Sequence, residues 1–388
     1  MRSLIRDASL SALVAGFVTV LVGFTSSAVI VFQAAEAAGA GPREIGSWMG
    51  ALGLGMGLTC ILLSLRYRVP VVTAWSTPGA AMLITAVSGV SLAEATGAFL
   101  LSALLICISG FSGLFERTIN RIPIALASGL LAGVLLRFGL QAFGAMGTRP
   151  WMVLSMLASY LALRRLRPRY AVPGALVVGL MVAWFDGALG LSVVSLSLTE
   201  PVFTMPSLSL HAVFGVALPL FVVTMASQNV PGVAVIRASG YQLPISPLIG
   251  WTGVATMLLA PFGAYALNLA AITAAICMGR EAHEDPARRY VAAVAAGGFY
   301  LLIGLFGATV GSLFAAFPKE LVLAIAGIAL LGTIGNGLAT AMANEREREP
   351  ALITFLVTAS GVSLLGIGSA FWGLVAGAIA LRMVARIR

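Results

Sequence analysis

The stretch Val71-Val72-Thr73-Ala74-Trp75-Ser76-Thr77-Pro78-Gly79-Ala80-Ala81-Met82 sits where an unbroken membrane helix would be expected, and it is not written like one. Val71 to Trp75 are β-branched or aromatic apart from Ala74, and such side chains favour an extended backbone. Ser76 or Thr77 can then cap a helix through its hydroxyl. Pro78 suits the first helical turn, where its missing N–H leaves no bond unmade. An apolar run follows to Val87. The pattern predicts a short extended segment and then a half-helix that begins inside the membrane, with the positive end of its dipole at mid-depth. Non-helical backbone at that depth is tolerated only where protein buries it or where it lines a cavity. Broken helices of this kind form substrate sites in secondary transporters.

The composition around this stretch is that of an integral membrane protein. Of 388 residues 60% are hydrophobic and 10% charged, and the mean hydropathy is +1.02; soluble chains carry about a quarter charged residues. A helix needs about 20 residues to cross the hydrocarbon, and a span with its turn about every 25 to 30 residues gives roughly fourteen crossings and leaves little chain for a soluble domain. The net charge of +9 lies in short clusters between apolar runs, so it reads as topology and excludes a nucleic-acid surface. Counted from a cytoplasmic N-terminus, nearly every cluster falls on one side, including Arg66 and Arg68, Arg164 and Arg165, and Arg346 and Arg348. Both termini are then expected in the cytoplasm, in a cytoplasmic (inner) membrane. Cys60, Cys107 and Cys277 lie inside apolar runs without metal-ligand spacing. No metal or cofactor is expected. No cleavable signal stands out, and the first apolar run reads as the first span.

A polar linker at 192–209 divides the chain into residues 1–191, with spans 1–7, and 210–388, with spans 8–14. Aligning Phe24-Thr25-Ser26-Ser27-Ala28 with Met225-Ala226-Ser227-Gln228-Asn229 matches Ser26 to Ser227 and Gly39 to Gly240. The third span then meets the tenth, and Thr77 faces Asn268. Asn268 is expected to start a second half-helix, Leu269 to Met278, preceded by a non-helical segment from Gly263 to Leu267. Because the number of spans per copy is odd, the second copy enters from the opposite face and the repeat is inverted. The expected fold is an all-α polytopic membrane protein with spans 3 and 10 broken by extended segments before half-helices.

Two half-helix N-termini, at Thr77 and Asn268, would face one volume near the midplane. Main-chain N–H groups there suit an anion or a polar planar ligand without a buried lysine. In span eight, Thr224-Met225-Ala226-Ser227-Gln228-Asn229-Val230-Pro231-Gly232 places consecutive polar side chains beside a helix breaker. Polar groups in lipid are costly unless paired or facing a cavity, so Gln228 and Asn229 are ligand candidates; interhelical hydrogen bonding is the competing explanation. Ser76 and Thr77, with Thr25, Ser26 and Ser27 in span one, complete the polar set; by type, the span-one residues serve equally as small packing residues of that helix. Trp75 and Tyr265 can stack on an aromatic ring or simply pack. Glu36, Glu94, Asp186 and His211 fall near span ends, and His283, Glu284 and Asp285 in a loop, where solvated structural roles suffice. Arg137 is the cation within a span, about two turns from its outer end, placed either to snorkel or to attract an anion. No Asp-rich pair, His-x-x-x-His or Gly-x-Ser-x-Gly motif is present, which argues against a membrane enzyme.

Thr73-Ala74-Trp75-Ser76-Thr77-Pro78-Gly79-Ala80-Ala81 and Thr224-Met225-Ala226-Ser227-Gln228-Asn229-Val230-Pro231-Gly232 together resemble the BenE family of benzoate:proton symporters, over essentially the whole chain. The resemblance implies the seven-plus-seven inverted-repeat fold shared with uracil permease-like and SulP-type transporters. Spans 1–4 and 8–11 would form a core and spans 5–7 and 12–14 a gate. In related nucleobase carriers an acidic side chain serves the site from spans eight and ten; here those positions offer Gln228, Asn229 and Asn268, so the resemblance carries over no proton-coupling residue. The expected function is import of benzoate or a similar aromatic carboxylate with a proton, by alternating access. A nucleobase or inorganic-anion carrier of the same fold is the nearest alternative, and a membrane enzyme a more distant one. The expected partners are the aromatic acid, protons, the lipid bilayer and a second copy in a homodimer, with no nucleic acid.

Overall fold

The computed structural model describes residues 2–87, 89–119, 123–167, 170–190, 198–307, 317–362, 364 and 369–386. The first half contains helices α1 (Leu10–Ala37) and α2 (Pro42–Tyr67), strand β1 (Thr73–Trp75), and helices α3 (Thr77–Ala86), α4 (Leu92–Phe111), α5 (Ile124–Gly144), α6 (Pro150–Leu166) and α7 (Ala171–Phe185). The second half contains α8 (Leu210–Ala238), α9 (Ile245–Leu259), β2 (Leu267–Leu269), α10 (Ile272–Met278), α11 (Tyr290–Leu305), α12 (Lys319–Met342), α13 (Arg348–Ala359) and α14 (Ser369–Arg386). Six helices among the described residues are long and apolar enough to cross a membrane: α2, α4, α5 with its short continuation to Gly147, α8, α9 extended to Phe262, and α12. Of the linker, the described part forms a strap. Thr199, Thr204 and Ser207 donate backbone N–H groups to the carbonyls of Leu305, Pro261 and Ala93.

The helices pack in two groups. One holds α1 to α4 with α8 to α11; the other holds α5, α6, α7, α12, α13 and α14, with α12 lying along α5. Two tight crossings in the first group are related by the inverted repeat, which exchanges α2 with α9 and α4 with α11. Where α2 crosses α11, a Cβ on Gly53 would sit 2.6 Å from the Gly304 nitrogen. Where α4 crosses α9, a Cβ on Gly110 would sit 2.4 Å from the Gly250 nitrogen. The same device, backbone against backbone at small residues, holds helices together where lipid supplies little hydrophobic drive.

The extended segments meet as expected in kind but not in detail. β1 and β2 pair antiparallel, with Thr73 opposite Leu269, Ala74 opposite Asn268 and Trp75 opposite Leu267. Asn268 therefore lies in the middle of a strand and does not start a helix. The second half-helix begins at Ile272, after Ala271. The expected boundary fell short because a pairing partner prolongs the extended backbone: Ala270 N–H reaches the Val72 carbonyl at 2.9 Å, and Ser76 N–H reaches that of Ala266 at 2.9 Å. At the first half-helix Ser76 is the cap, its Oγ accepting Gly79 N–H at 3.1 Å, and Thr77 is the first helical residue.

Span eight also departs from a regular helix. It contains π-helical turns at Val213–Ala217 and Met225–Asn229. Each is followed within two residues by a proline, Pro219 or Pro231, which cannot donate to the preceding turn. The wider turn accommodates that gap.

The glycine crossings make a direct stability prediction. Gly53→Ala places a methyl against main chain that cannot rotate away, and overpacking of this kind costs about 1–3 kcal/mol. Gly298→Ala meets nothing within 4 Å. Thermal unfolding of the purified protein is expected to show a lowered midpoint for the first variant and none for the second.

Candidate functional site

Three donors along the outer edges of the strand pair find partners on neighbouring helices. Thr73 N–H donates to Cys60 Sγ on α2 at 3.2 Å, and Leu267 N–H donates to Thr256 Oγ1 on α9 at 3.0 Å. These two helices are repeat mates. Leu269 N–H donates to Asn229 Oδ1 at 2.9 Å, while Asn229 Nδ2 reaches Met225 Sδ at 3.1 Å. The strand pair is thereby fixed, and with it the start of α3.

In front of the strand pair lies a cavity of about 550 Å³ between the two helix groups, within the ~300–1,000 Å³ common for small-molecule sites. From the first group it is lined by Ala74, Trp75, Thr77 and Pro78 at the start of α3, and by Ala270 to Thr273 at the start of α10. Ser27 of α1 and Ser227, Gln228 and Pro231 of α8 also face it. From the second group come Arg137, Phe138 and Gln141 of α5 and Thr358 of α13. Much of the remaining wall is apolar, including Ile30, Met56, Val134 and Ile272. Trp75 is held in place: its Nε1–H donates to Ser27 Oγ at 2.9 Å, Ser27 donates on to the Gly23 carbonyl at 2.9 Å, and Phe24 packs edge-on at 6.0 Å. Arg137 is exposed to this cavity, and no carboxylate pairs with it among the described residues.

Thus Trp75, Thr77, Gln228 and Arg137 share one cavity, and four other sequence candidates stand apart from it. Ser76 is fully buried behind the helix start it caps. Asn229 is fully buried against β2; as the next residue on the helix it points about 100° away from Gln228. Asn268 is fully buried and does not line the cavity; it has only a 3.4 Å contact from Nδ2 to its own segment's Ala266 carbonyl and no partner for Oδ1 among the described residues. Tyr265 is buried between Trp48 and Phe99, both with ring centroids at 6.1 Å, and donates to the Ser76 carbonyl at 3.2 Å. Thr25 and Ser26 belong to α1, but their side chains lie outside the described residues. Ser27, one of the polar group of span one, does line the cavity, whereas Gln141 was not among the sequence candidates. Gln141 carries a readable signal, since it stands four residues after Arg137 and hence on the same helix face.

Comparison with known proteins places this architecture. The family model described as benzoate membrane transport protein, BenE, matches residues 6–383. The chain is 50% identical over 367 residues to Inner membrane protein YdcO of Escherichia coli (strain K12), covering 95% of this chain and 94% of that one. It is 41% identical over 380 residues to the benzoate membrane transport protein of Acinetobacter baylyi, covering 98% and 96%. Among solved structures it resembles the murine Solute Carrier 26 family member A9 anion transporter in the inward-facing state. That match has a TM-score of 0.51 at 11% identity, over 98% of this chain and 69% of that one, and it speaks to the fold alone. These likenesses are to transporters and not to enzymes. The chain belongs to the BenE family of benzoate-type membrane transport proteins.

Proposed function

We propose that the protein is a secondary active transporter of the cytoplasmic membrane that imports benzoate or a similar aromatic carboxylate together with a proton. The observation that carries this reading is the meeting, in one cavity, of a cation without a carboxylate partner among the described residues, a helix N-terminus and apolar walls. Arg137 and the first turn of α3 suit the carboxylate. Trp75, Phe138 and Ile272 suit the ring, and Gln228 offers an amide to orient it. The two helix groups fit a core, α1–α4 with α8–α11, and a gate, α5–α7 with α12–α14. Because Arg137 belongs to the gate and Gln228 to the core, a substrate bridging them would link its own binding to movement of one group against the other. The distribution of arginines supports cytoplasmic termini.

A carboxylate moving inward opposes an inside-negative potential by about 2.3 kcal/mol per charge per 100 mV, so accumulation needs a co-transported cation. Benzoate with one proton is electroneutral. The acids and the histidine near span ends are elsewhere engaged or distant from the cavity: Glu94 closes the capping box of α4 with Ser91, and Asp186 pairs with Arg149 at 3.4 Å. Neutralising Glu36, Glu94, Asp186 or His211 one at a time is expected to leave proton-driven uptake largely intact. Benzoate accumulation against an imposed pH gradient, compared with counterflow exchange, checks this; a variant that loses accumulation and keeps exchange would identify the proton carrier.

Uptake of labelled benzoate into proteoliposomes under a pH gradient tests the reading as a whole. Uptake of uracil or bicarbonate in its place would reassign the substrate. The neighbours Gln228 and Asn229 are expected to separate cleanly. Gln228→Ala weakens benzoate binding by about 1–3 kcal/mol with folding preserved. Asn229→Ala strands the buried Leu269 N–H and lowers stability by a similar amount. Arg137→Gln is expected to cost about 1.5–3 kcal/mol of benzoate binding, the scale of a hydrogen bond to a charged group. Isothermal titration beside thermal unfolding measures each, and unchanged affinity in Gln228→Ala and Arg137→Gln would remove both from the site.

A further inference from the structure

A second cavity of about 560 Å³ lies at the arginine-rich end of the molecule and shares no lining residue with the first. It opens where the loop after α10 meets α12 and α6. Its titratable and charged groups are Glu281, Arg280, Glu284 and Arg289 from the loop, and Tyr160 and Arg164 from α6; Asn336 is the polar side chain from α12. Three of these are committed. Arg289 is buried and donates to the carbonyls of Met278 at 2.7 Å, His283 at 2.7 Å and Glu284 at 3.3 Å, closing the C-terminus of α10. Arg164 donates to the Tyr160 hydroxyl. Glu281 is different. No guanidinium pairs with it among the described residues. Its carboxylate lies directly against α12 at Gly332, where a Cβ would stand 2.4 Å from Glu281 Oε1. Glycine at that position leaves just the space the carboxylate fills.

We propose that Glu281 is a proton-binding site that latches the cytoplasmic side of the transporter: protonated, it seats against Gly332 and holds the α10 loop on α12, and ionised, it leaves that seat and lets the two groups part. The proposal rests on the reading of α12 as part of a gate that moves against the α10 group. Burial pushes the Glu281 carboxyl above the usual carboxylate range, against the pull of Arg164, Arg289 and Arg280. The sign follows. The seated form binds the proton more tightly than the released form, so seating is favoured at low cytoplasmic pH and is lost as pH rises through the seated-state value. Import of an acid would lower internal pH and seat the latch, so the device would restrain uptake when the cytoplasm acidifies.

The test is the accessibility of Ala282→Cys, a fully buried position next to Glu281, to a membrane-impermeant maleimide in inverted membrane vesicles. Labelling is normalised to an exposed cytoplasmic position, Glu345→Cys, and the three native cysteines are buried. Labelling of Ala282→Cys is expected to rise from about pH 6 to about pH 8, by up to about tenfold for each pKa unit between the two states. Adding Glu281→Gln, which mimics the protonated form, is expected to give low labelling without pH dependence. Adding Gly332→Ala instead, which displaces the carboxylate without removing it, is expected to give high labelling already at low pH. An unchanged pH dependence in Glu281→Gln, or low labelling in Gly332→Ala, overturns the latch. The readout needs no benzoate. Proton-linked labelling with no benzoate binding to the purified protein would therefore sustain the latch while overturning the transport reading.

Discussion

The structure depends on one constraint: a stretch of non-helical backbone at membrane depth must find a partner for every buried N–H, because neither lipid nor water will supply one. The chain meets it by pairing β1 with β2, so that each broken segment answers the other across the repeat. The strand pair leaves its outer edges open, and single side chains close them. Cys60 and Thr256, from the repeat-related helices α2 and α9, receive the Thr73 and Leu267 N–H groups. Asn229 receives that of Leu269. Removing any one of these acceptors exposes a donor with no alternative.

The rest of the site follows from that closure. With β1 fixed, Ser76 is held at the position where its hydroxyl can cap α3, and the dipole end, worth roughly half a positive charge, is aimed at the space between the two helix groups. The ring of Trp75 is locked by Ser27 and Phe24 and forms part of the same wall. Across the gap, the second group contributes Arg137 on α5, about 10 Å along the helix from its outer end at the usual rise per residue. A carboxylate here would meet charge from both groups, and an aromatic ring would meet the apolar surface between them. Binding energy placed across a moving boundary is the form that can drive a conformational cycle, since it differs between the arrangements of the two groups.

Much of this was legible in the sequence. The broken third span announced itself through the β-branched run before Ser-Thr-Pro-Gly, and the inverted repeat through the order of weak matches from Ser26/Ser227 to Thr77/Asn268. What the sequence could not show was the reach of tertiary pairing. Asn268 reads like a helix cap, yet a strand partner keeps its backbone extended, and the helix starts four residues later at Ile272. Gln228 and Asn229 read as a single polar patch. Neighbours on a helix point about 100° apart, so one faces the cavity and the other the strand edge. Tyr265 looked equally suited to stacking on a ligand or packing in a core, and three-dimensional neighbours, Trp48 and Phe99, decide for the core. Glu281 carried no signal at all, because its significance lies in a glycine fifty-one residues away.

The central claim is that an aromatic carboxylate occupies the cavity between Arg137, Gln228 and the start of α3. Crystals grown with 4-iodobenzoate locate the ring directly through the anomalous signal of iodine. A peak between Trp75 and Gln228, displaced by excess benzoate, is the result this account predicts. A benzoate-displaceable peak anywhere outside that cavity would contradict it.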